Sequence, residues 1–286
     1  MLVQPVQWGL ADMSILTEIV HHREQQLRRL VTPTSIAAMR EAARHAPAPR
    51  DFLGSLRGNT VQVIAEIKRA SPSRGTINAS LDPAALAAEY HCHGAAAISV
   101  LTEEDYFAGH IDDLRLVREA AYLPILRKDF VISPYQIYEA RAAGADALLL
   151  IAGVLQGAEL ATMLKLTHDL GMTALVEVHT EQELQSALAA GAALVGINNR
   201  DLNTLEVSLD TTVNLAHRVP AKCVLVSESG IRSRADVERV AGVGADAVLV
   251  GTSLVAAESS GHAVHGLLGV PTSRRNSAAG KPAVQK

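Results

Sequence analysis

The stretch GADALLLI, residues 144–151, joins a Gly-Ala pair to a short apolar run, and GADAVLV, residues 244–250, repeats that arrangement. The same pair precedes apolar runs at Gly94 and Gly191, so the four positions 94, 144, 191 and 244 differ by 50, 47 and 53 residues. A glycine at such a place suits a helix that ends in a left-handed residue before the chain enters a strand. Each spacing fits two strand–helix units, which predicts a βαβα repeat.

Short apolar runs alternate along the chain with helix-length segments rich in Ala, Leu and Glu, which is the pattern of βα units. Near-continuous hydrophobicity within each run is typical of parallel strands buried on both faces. The eight runs are Val61–Ile67, Ala96–Leu101, Pro124–Arg127, Ala147–Ile151, Thr173–Val178, Leu194–Asn198, Cys223–Ser227 and Ala247–Val250. They predict an α/β fold, a (β/α)8 TIM barrel; an open doubly wound sheet, the alternative, usually has fewer strands.

The two ends of the chain lie outside this alternation of strands and helices. Residues 1–60 are predicted to form an N-terminal helical extension packed on the barrel, with a helix over 35–44 that ends at the Ala-Pro repeat 46–49. Residues 61–270 form the predicted catalytic barrel. Residues 271–286 are basic, lack an apolar period and are predicted to be a disordered tail, with a nucleic-acid-binding arm as the alternative.

Composition excludes several classes of protein. With 48% hydrophobic residues in 286, the chain has enough apolar material for a large core, and a net charge of −4 with 3% aromatic residues favours a small-molecule partner over nucleic acid. The longest apolar run, residues 147–155, is too short to span a bilayer, and no secretory signal is visible. Cys92 and Cys223 are expected to be buried and reduced, as in a cytoplasmic protein; an isolated disulfide is the alternative.

Polar and ionisable residues terminate five of the eight runs. In a (β/α)8 barrel the active site lies at the carboxyl ends of the strands, so these residues are expected to meet there. Glu66 and Lys68 end the first run and, because strand side chains alternate, point to the same side. The others are Lys128 after the third run, Glu177 in the fifth, Asn198 and Arg200 at the sixth and Glu228 at the seventh. Desolvation of so many charges without a shared function would be costly, which favours a catalytic site.

Small residues follow the last two runs and predict a phosphate site. Ser229 and Gly230 come after the seventh run, and Gly251 and Thr252 come after the eighth. Backbone N–H groups and helix N-termini can approach an anion there, and this is the usual phosphate position of such barrels. The alternative is that these glycines only turn the chain.

Six segments carry a resemblance to a known family: AEIKRASPSRG (65–75), LTEEDYFAG (101–109), LRKDF (126–130), LVEVH (175–179), GINNRDL (196–202) and SESGI (227–231). In this order they resemble the indole-3-glycerol phosphate synthases of tryptophan biosynthesis, over residues 13–268. The resemblance implies a lyase that converts 1-(2-carboxyphenylamino)-1-deoxyribulose 5-phosphate to indole-3-glycerol phosphate, CO2 and water. It implies no cofactor and no metal. The partner is expected to be a phosphorylated small molecule, and no obligatory protein partner is evident from the sequence.

The resemblance also implies catalytic roles. Lys128 is the expected general acid at the ribulose carbonyl, which suits a lysine only if nearby cations such as Lys68, or burial, lower its pKa. Glu177 matches the catalytic glutamate of the family, and Asn198 joins it. Glu66 with Lys68 forms an acid/base pair for dehydration, although the sequence leaves open which pair makes which proton transfer.

Binding roles follow from charge and shape. Arg200 suits the anthranilate carboxylate, Asn198 the hydroxyls or amine, and Glu228 the sugar hydroxyls. Phe107 and Phe130 are expected to sandwich the anthranilate ring. The residues expected around the phosphate are Ser71, Lys68, Ser229, Gly230, Gly251 and Thr252. The side-chain role of Thr252 is less defined than that of its backbone N–H.

The histidines are expected to lie on the surface or in the core, and His179 is expected on the rim, on the face opposite Glu177. Two other hypotheses compete with the lyase. A phosphate-binding isomerase barrel is disfavoured by AEIKRASPS and LRKDF, and a catalytically silent barrel is disfavoured by the joint presence of the acid, base and amide residues.

Overall fold

The computed structural model describes residues 14–202 and 204–273. Its strands are β1 (Gln62–Ile67), β2 (Ala70–Ser71), β3 (Gly75–Thr76), β4 (Ala97–Leu101), β5 (Ile125–Lys128), β6 (Ala147–Ile151), β7 (Thr173–Val178), β8 (Leu194–Asn198), β9 (Val224–Glu228) and β10 (Ala247–Val250). Its helices are α1 (Ile15–Leu30), α2 (Pro33–His45), α3 (Phe52–Ser55), α4 (Pro83–Cys92), α5 (Asp112–Ala120), α6 (Pro134–Ala142), α7 (Ala158–Asp169), α8 (Glu181–Ala189), α9 (Asp210–Leu215), α10 (Arg234–Gly242), α11 (Thr252–Val255) and α12 (Ser260–Leu267), with a 3-10 helix at Ala216–Arg218.

Eight strands close into a barrel in the order β1-β10-β9-β8-β7-β6-β5-β4, with β4 again paired to β1. All the barrel pairings are parallel, and β2 and β3 form a small antiparallel hairpin in the loop after β1. Each predicted run forms a barrel strand whose ends shift by at most one residue. The predicted (β/α)8 barrel is therefore confirmed, and the open sheet is excluded.

Alternation along each strand separates an apolar lower layer from a polar mouth. In β1 the inward-facing Ile64 lies in the inner core, and Glu66 and Lys68 follow it at intervals of two residues. The same alternation places Leu126 below Lys128, Leu175 below Glu177, Leu194 below Asn198 and Val226 below Glu228. The residues that fill the barrel and the residues at its mouth thus belong to the same inward-facing rows.

The four glycines of the Gly-Ala pairs adopt the left-handed conformation that their position predicts. Gly94, Gly144, Gly191 and Gly244 have φ of 89°, 91°, 92° and 90°. Each follows a helix and precedes a barrel strand. A residue with a Cβ is strained at this φ, so the repeat seen in the sequence reflects a backbone requirement.

Within residues 14–60 the predicted helical extension forms α1, α2 and α3, and its residues 1–13 lie outside the described residues. Thr32 caps α2 with a capping box, Pro33 occupies its first turn, and the helix ends at His45 before the Ala-Pro repeat. Helix α2 packs against α6, where the Arg40 guanidinium lies 5.1 Å from the ring centre of Tyr138.

Short helix α3 closes the amino-terminal end of the barrel. Phe52 and Leu56 are fully buried and share the inner core with Ala147 and Ala247, which begin their strands. The barrel interior is thus filled by aromatic and aliphatic side chains from below, and the mouth at the carboxyl ends stays open to ligands.

Helix α1 docks at the opposite end, beside the mouth. The Arg23 guanidinium donates to Asp129 Oδ1 at 2.6 Å, and the Tyr106 hydroxyl donates to Glu18 Oε1 at 2.8 Å. Asp129 directly follows Lys128, so α1 is tied to the strand end that carries a site residue.

Of the predicted tail, Pro271 pairs with Thr60 as a β-bridge, while residues 274–286 lie outside the described residues. The prediction of two buried cysteines is wrong for Cys92, which is exposed at the end of α4; Cys223 is buried and no disulfide joins the two. None of the helices within 14–202 and 204–273 is long and apolar enough to cross a membrane.

Candidate active site

A cavity of about 270 Å³ opens at the carboxyl ends of the barrel strands. Every predicted site residue lines it: Glu66, Lys68, Ser71, Phe107, Lys128, Phe130, Glu177, Asn198, Arg200, Glu228, Ser229, Gly230, Gly251 and Thr252. Helix α1 adds the apolar residues Ile15, Leu16 and Ile19 to the wall. The predicted residues come from seven of the eight strand–helix units, so the closed barrel is what brings them together.

Two carboxylates enclose the ammonium group of Lys128. Its Nζ lies 3.1 Å from Glu177 Oε2 and 3.0 Å from Glu228 Oε2, and both carboxylate side chains are almost fully buried. Against the effect of burial, the Lys128 ammonium and the nearby Asn198 side chain lower the pKa of Glu177, and Asn198 Oδ1 accepts the backbone N–H of Arg200 at 3.0 Å. The cluster is a charge-assisted network whose members fix one another.

The charge around Lys128 is the reverse of what the sequence predicted. Burial alone would lower the pKa of Lys128, but the negative charges of Glu177, Glu228 and Glu66 outweigh it and raise the pKa above its ordinary value. Lys68 does not crowd it, because Lys68 Nζ is paired with Glu66 Oε1 at 2.7 Å. The predicted lowering of the Lys128 pKa is therefore wrong.

Glu228 is held close to neutrality. Burial, together with the negative charge of Glu177, raises its pKa to about 7 even though the Lys128 ammonium opposes the shift. Its Oε1 is buried and has no hydrogen-bond partner in the described part of the chain. Gly196 on β8 makes room for this oxygen, because a Cβ at position 196 would collide with it. Glu228 can thus store or release a proton near neutral pH, beyond the predicted binding of sugar hydroxyls.

Glu66 and Lys68 face the cavity together, as predicted from their alternation. Their ion pair leaves Glu66 Oε2 buried and without a partner among residues 14–202 and 204–273. Gly251 lies against the Glu66 carboxylate, and any Cβ there would strike it. Glycine at 251 is thus required by a close approach, in addition to any contact between its backbone and a ligand.

Backbone geometry after β9 and β10 suits an anion. Ser229 and Gly230, which both line the cavity, have φ of 65° and 85° and are two successive left-handed residues. For a serine this conformation costs about 1 kcal/mol. Gly251 begins the short helix α11 without a side-chain cap, and Ser71 Oγ is buried with no partner in the described chain. All four residues line the cavity.

Three arginines converge at the same mouth, two of which the sequence analysis missed. Arg200 donates to the carbonyl of Leu205 at 2.9 Å, and burial lowers its pKa, as do the nearby Arg74 and Arg232. Arg74 and Arg232 also line the cavity. Arg74 lies in the β2–β3 hairpin and Arg232 two residues after Gly230, in loops where no periodicity signals the direction of a side chain.

Phe107 and Phe130, which are predicted to sandwich the anthranilate ring, lie beside each other in the cavity wall. The Phe107 and Phe130 rings have centroids 6.2 Å apart at an interplanar angle of 38°. That separation is typical of a direct aromatic pair, so a third ring would have to part them. The backbone N–H of Phe107 donates to the buried carboxylate of Glu103 at 3.2 Å.

His179 contacts the catalytic cluster, and its predicted place on the opposite face is wrong. His179 Nε2 lies 3.6 Å from Glu177 Oε1, and Nδ1 lies 3.4 Å from Glu183 Oε2. Burial would lower the pKa of His179, but the carboxylates of Glu183 and Glu177 raise it. Positions 177 and 179 are two residues apart, and the alternation rule itself could have placed them on one side.

Within residues 14–202 and 204–273, no group of three or more His, Cys, Asp or Glu side chains is arranged to hold a metal ion. The polar groups of the cavity are instead an ammonium, carboxylates, guanidinium groups and turned backbone. These groups can bind a small anion and move protons on it.

Fold and cavity together define a (β/α)8-barrel enzyme that performs acid/base chemistry on a small anionic molecule. The sequence model of the family described as indole-3-glycerol phosphate synthase matches residues 16–267. The chain belongs to this family, whose members are carboxy-lyases of tryptophan biosynthesis.

Relatives of the same description are similar over most of their length. The chain is 49% identical to one from Mycolicibacterium vanbaalenii over 246 residues, covering 86% of this chain and 90% of the relative. It is 52% identical to one from Parafrankia sp., covering 85% and 91%. It is 47% identical to one from Mycobacterium tuberculosis, covering 86% and 90%.

Solved structures of low sequence identity share the fold. A 3-hexulose-6-phosphate synthase from Salmonella typhimurium superposes with a TM-score of 0.59 at 13% identity, covering 72% of this chain and 96% of that one. A thiamine phosphate pyrophosphorylase from Pyrococcus furiosus gives a TM-score of 0.53 at 18% identity, covering 74% and 95%. At these identities the likeness concerns the fold alone.

Proposed function

We propose that this chain converts 1-(2-carboxyphenylamino)-1-deoxyribulose 5-phosphate to indole-3-glycerol phosphate, CO2 and water through the residues of this cavity. The observation that carries the assignment of residues is the position of Lys128 between Glu177 and Glu228. Loops that suit an anion and aromatic rings line the same cavity, which suits a substrate with a phosphate and an anthranilate ring.

Ring closure requires a proton on the ribulose carbonyl oxygen as the anthranilate ring carbon attacks. Lys128 is the donor in our proposal. Its raised pKa keeps it protonated until substrate arrives. Donation is still favourable, because the alkoxide that forms is far more basic than an amine. Glu177 and Glu228 hold the ammonium in position and Asn198 orients Glu177.

Dehydration requires an acid for the departing hydroxyl and a base for the proton on the adjacent carbon. We assign the acid to Glu228, whose pKa of about 7 leaves it partly protonated at neutral pH. We assign the base to Glu66, because its Oε2 has no partner within the described residues and Lys68 pairs with its other oxygen. CO2 leaves between the two steps and needs no proton of its own.

Substrate binding in this proposal uses several groups of cavity residues. The backbone of Ser229 and Gly230 and that of Gly251 and Thr252 hold the phosphate, with Lys68 and the Ser71 hydroxyl beside them. Arg200 meets the anthranilate carboxylate, which is lost as CO2. Phe107 and Phe130 separate to admit the ring. The clustering of Arg74 and Arg232 near Arg200 adds positive charge for a doubly anionic substrate.

In the cell we propose a cytoplasmic enzyme that acts on this phosphorylated small molecule without nucleic acid or an obligatory protein partner. Cell fractionation, and activity of the purified chain alone, test these points. Activity that appears only after a second protein is added would contradict the last one.

The decisive experiment is a direct assay of the purified chain with the carboxyphenylamino substrate, followed by indole fluorescence. Wild-type protein is expected to form indole-3-glycerol phosphate. Lys128→Ala is expected to lower kcat by at least about 10²-fold, because the proton donor is lost. Lys165→Ala is the matched control, since Lys165 lies on α7 with 74% of its side chain exposed. Substantial turnover by Lys128→Ala would contradict its assignment, and inactive wild-type protein would contradict the function.

A further inference from the structure

We propose that His179, held by Glu183, is the route by which protons return to the catalytic cluster from outside the cavity. Protons pass from His179 to Glu177 and from Glu177 to Lys128. The inference rests on the proposed function, because it concerns the proton balance of that reaction.

The reaction consumes one proton in each turnover. Ring closure places one proton on the carbonyl oxygen, and loss of water places a second on the departing hydroxyl. The carboxylate leaves as CO2 without a proton, and only the adjacent carbon gives one back. If Lys128 donates in ring closure, it ends the step as a neutral amine and must regain a proton before the next turnover.

Glu177 is placed to pass that proton, because its two oxygens face different nitrogen atoms. Oε2 lies 3.1 Å from Lys128 Nζ, and Oε1 lies 3.6 Å from His179 Nε2. A movement of about 0.5 Å brings the second pair into hydrogen-bonding distance. His179 Nε2 is buried and has no hydrogen-bond partner in the described chain, so Glu177 is the acceptor in its reach.

Glu183 fixes His179 from the outer side. Its Oε2 accepts the His179 backbone N–H at 2.6 Å and lies 3.4 Å from the ring Nδ1. Exposure of the side chain rises along the series, from 3% at Glu177 to 16% at His179 and 24% at Glu183. The charged groups that face His179 are Glu177, Glu183 and Glu228, with Lys128 beyond Glu177. Protons therefore have an approach to Glu177 from the α8 side.

This approach stays usable while substrate occupies the cavity. The residues that line the cavity do not include His179, and in this proposal it acts through Glu177 as a positioning and relay residue. A bound phosphate and anthranilate ring fill the mouth and keep bulk water from Lys128. The route behind Glu177 does not cross that mouth.

The test compares the first turnover with later ones in His179→Gln, which retains a side-chain N–H but cannot titrate. Because Lys128 is already protonated in resting enzyme, the rate of a single turnover with excess enzyme is expected to stay within about two-fold of wild type. Steady-state kcat is expected to fall at least about ten-fold at pH 8 and less at pH 6, with KM nearly unchanged. Imidazole in the buffer is expected to restore part of kcat.

Two controls separate a proton route from simple damage. His168→Gln changes an exposed histidine on α7 and is expected to behave as wild type. Glu183→Gln removes the outer carboxylate and is expected to shift kcat in the same direction by a smaller factor. Equal losses in the first and later turnovers, or an unchanged kcat and pH profile, would overturn the proposal. A wild-type enzyme inactive on the substrate would instead contradict the proposed function.

Discussion

Single residues in this molecule are governed by what the barrel brings beside them. Lys128 and Glu228 are separated by 100 positions in sequence, yet their side chains lie 3.0 Å apart. The alternation of strand residues was enough to predict that both face the cavity. It was not enough to predict the charge around Lys128, because that depends on how the side chains of β5, β7 and β9 converge. The direction of the Lys128 pKa shift could therefore not be predicted from the sequence.

Glu228 should make stability depend on pH. Its folded-state pKa of about 7 lies above the ordinary value of 4.5, so between these pH values the folded protein holds more protons than the unfolded chain. The free energy of unfolding is thus expected to fall as pH rises from 5 to 8. Glu228→Gln removes this contribution. Between pH 5 and pH 8, the free energy of unfolding of this variant should therefore fall by up to about 3 kcal/mol less than that of wild type.

Urea unfolding at the two pH values measures this difference. Glu181→Gln serves as the control, because Glu181 begins α8 with a side chain that is 43% exposed. The same pH dependence in wild type and Glu228→Gln would show that Glu228 is ionised in the folded protein throughout this range.

At the scale of elements, helix α1 forms part of the cavity wall. Arg23→Ala should loosen it, because Asp129 is fully buried and loses one of its cationic partners. Arg127 still neutralises Asp129, so we expect a loss of about 2 kcal/mol, less than for a fully unpaired charge. KM should rise more than kcat falls, since Ile15 and Ile19 lie on this helix. Steady-state kinetics and limited proteolysis within α1 measure the effect.

Arg28→Ala is the matched control for that experiment, since Arg28 lies on the same helix with 53% of its side chain exposed. It is expected to leave KM and proteolysis unchanged. An Arg23→Ala enzyme with wild-type KM would mean that the docking of α1 does not depend on the pair with Asp129.

Helix α3 makes a different contribution, to stability alone. Phe52→Ala should cost about 3–5 kcal/mol, because a fully buried ring is replaced by a cavity at the base of the barrel. Leu30→Ala, at a position 59% exposed, should cost little. Denaturant unfolding measures both changes. A loss below about 1 kcal/mol for Phe52→Ala would indicate that the base of the barrel does not need this residue.

At the scale of the whole molecule, the sequence predicts the fold more completely than the arrangement of the site. Eight buried runs and four Gly-Ala pairs reflect requirements that repeat along the chain, so strands were placed to within one residue. Arg74, Arg232 and the lining residues of α1 carry no such period, because loop direction and helix docking depend on long-range contacts. His179 was within reach of the alternation rule, whereas the direct pairing of Phe107 with Phe130 was not.

The packing of Phe52 and Leu56 at the base of the barrel limits where substrate and products can enter and leave the cavity. With the interior filled from below, the cavity exchanges molecules through its mouth at the carboxyl ends of the strands. Substrate entry and the departure of CO2, water and the phosphorylated product all use this passage. The phosphorylated product therefore competes with substrate for the same loops. Protons that follow the proposed His179 route can reach the cluster before product has left the mouth.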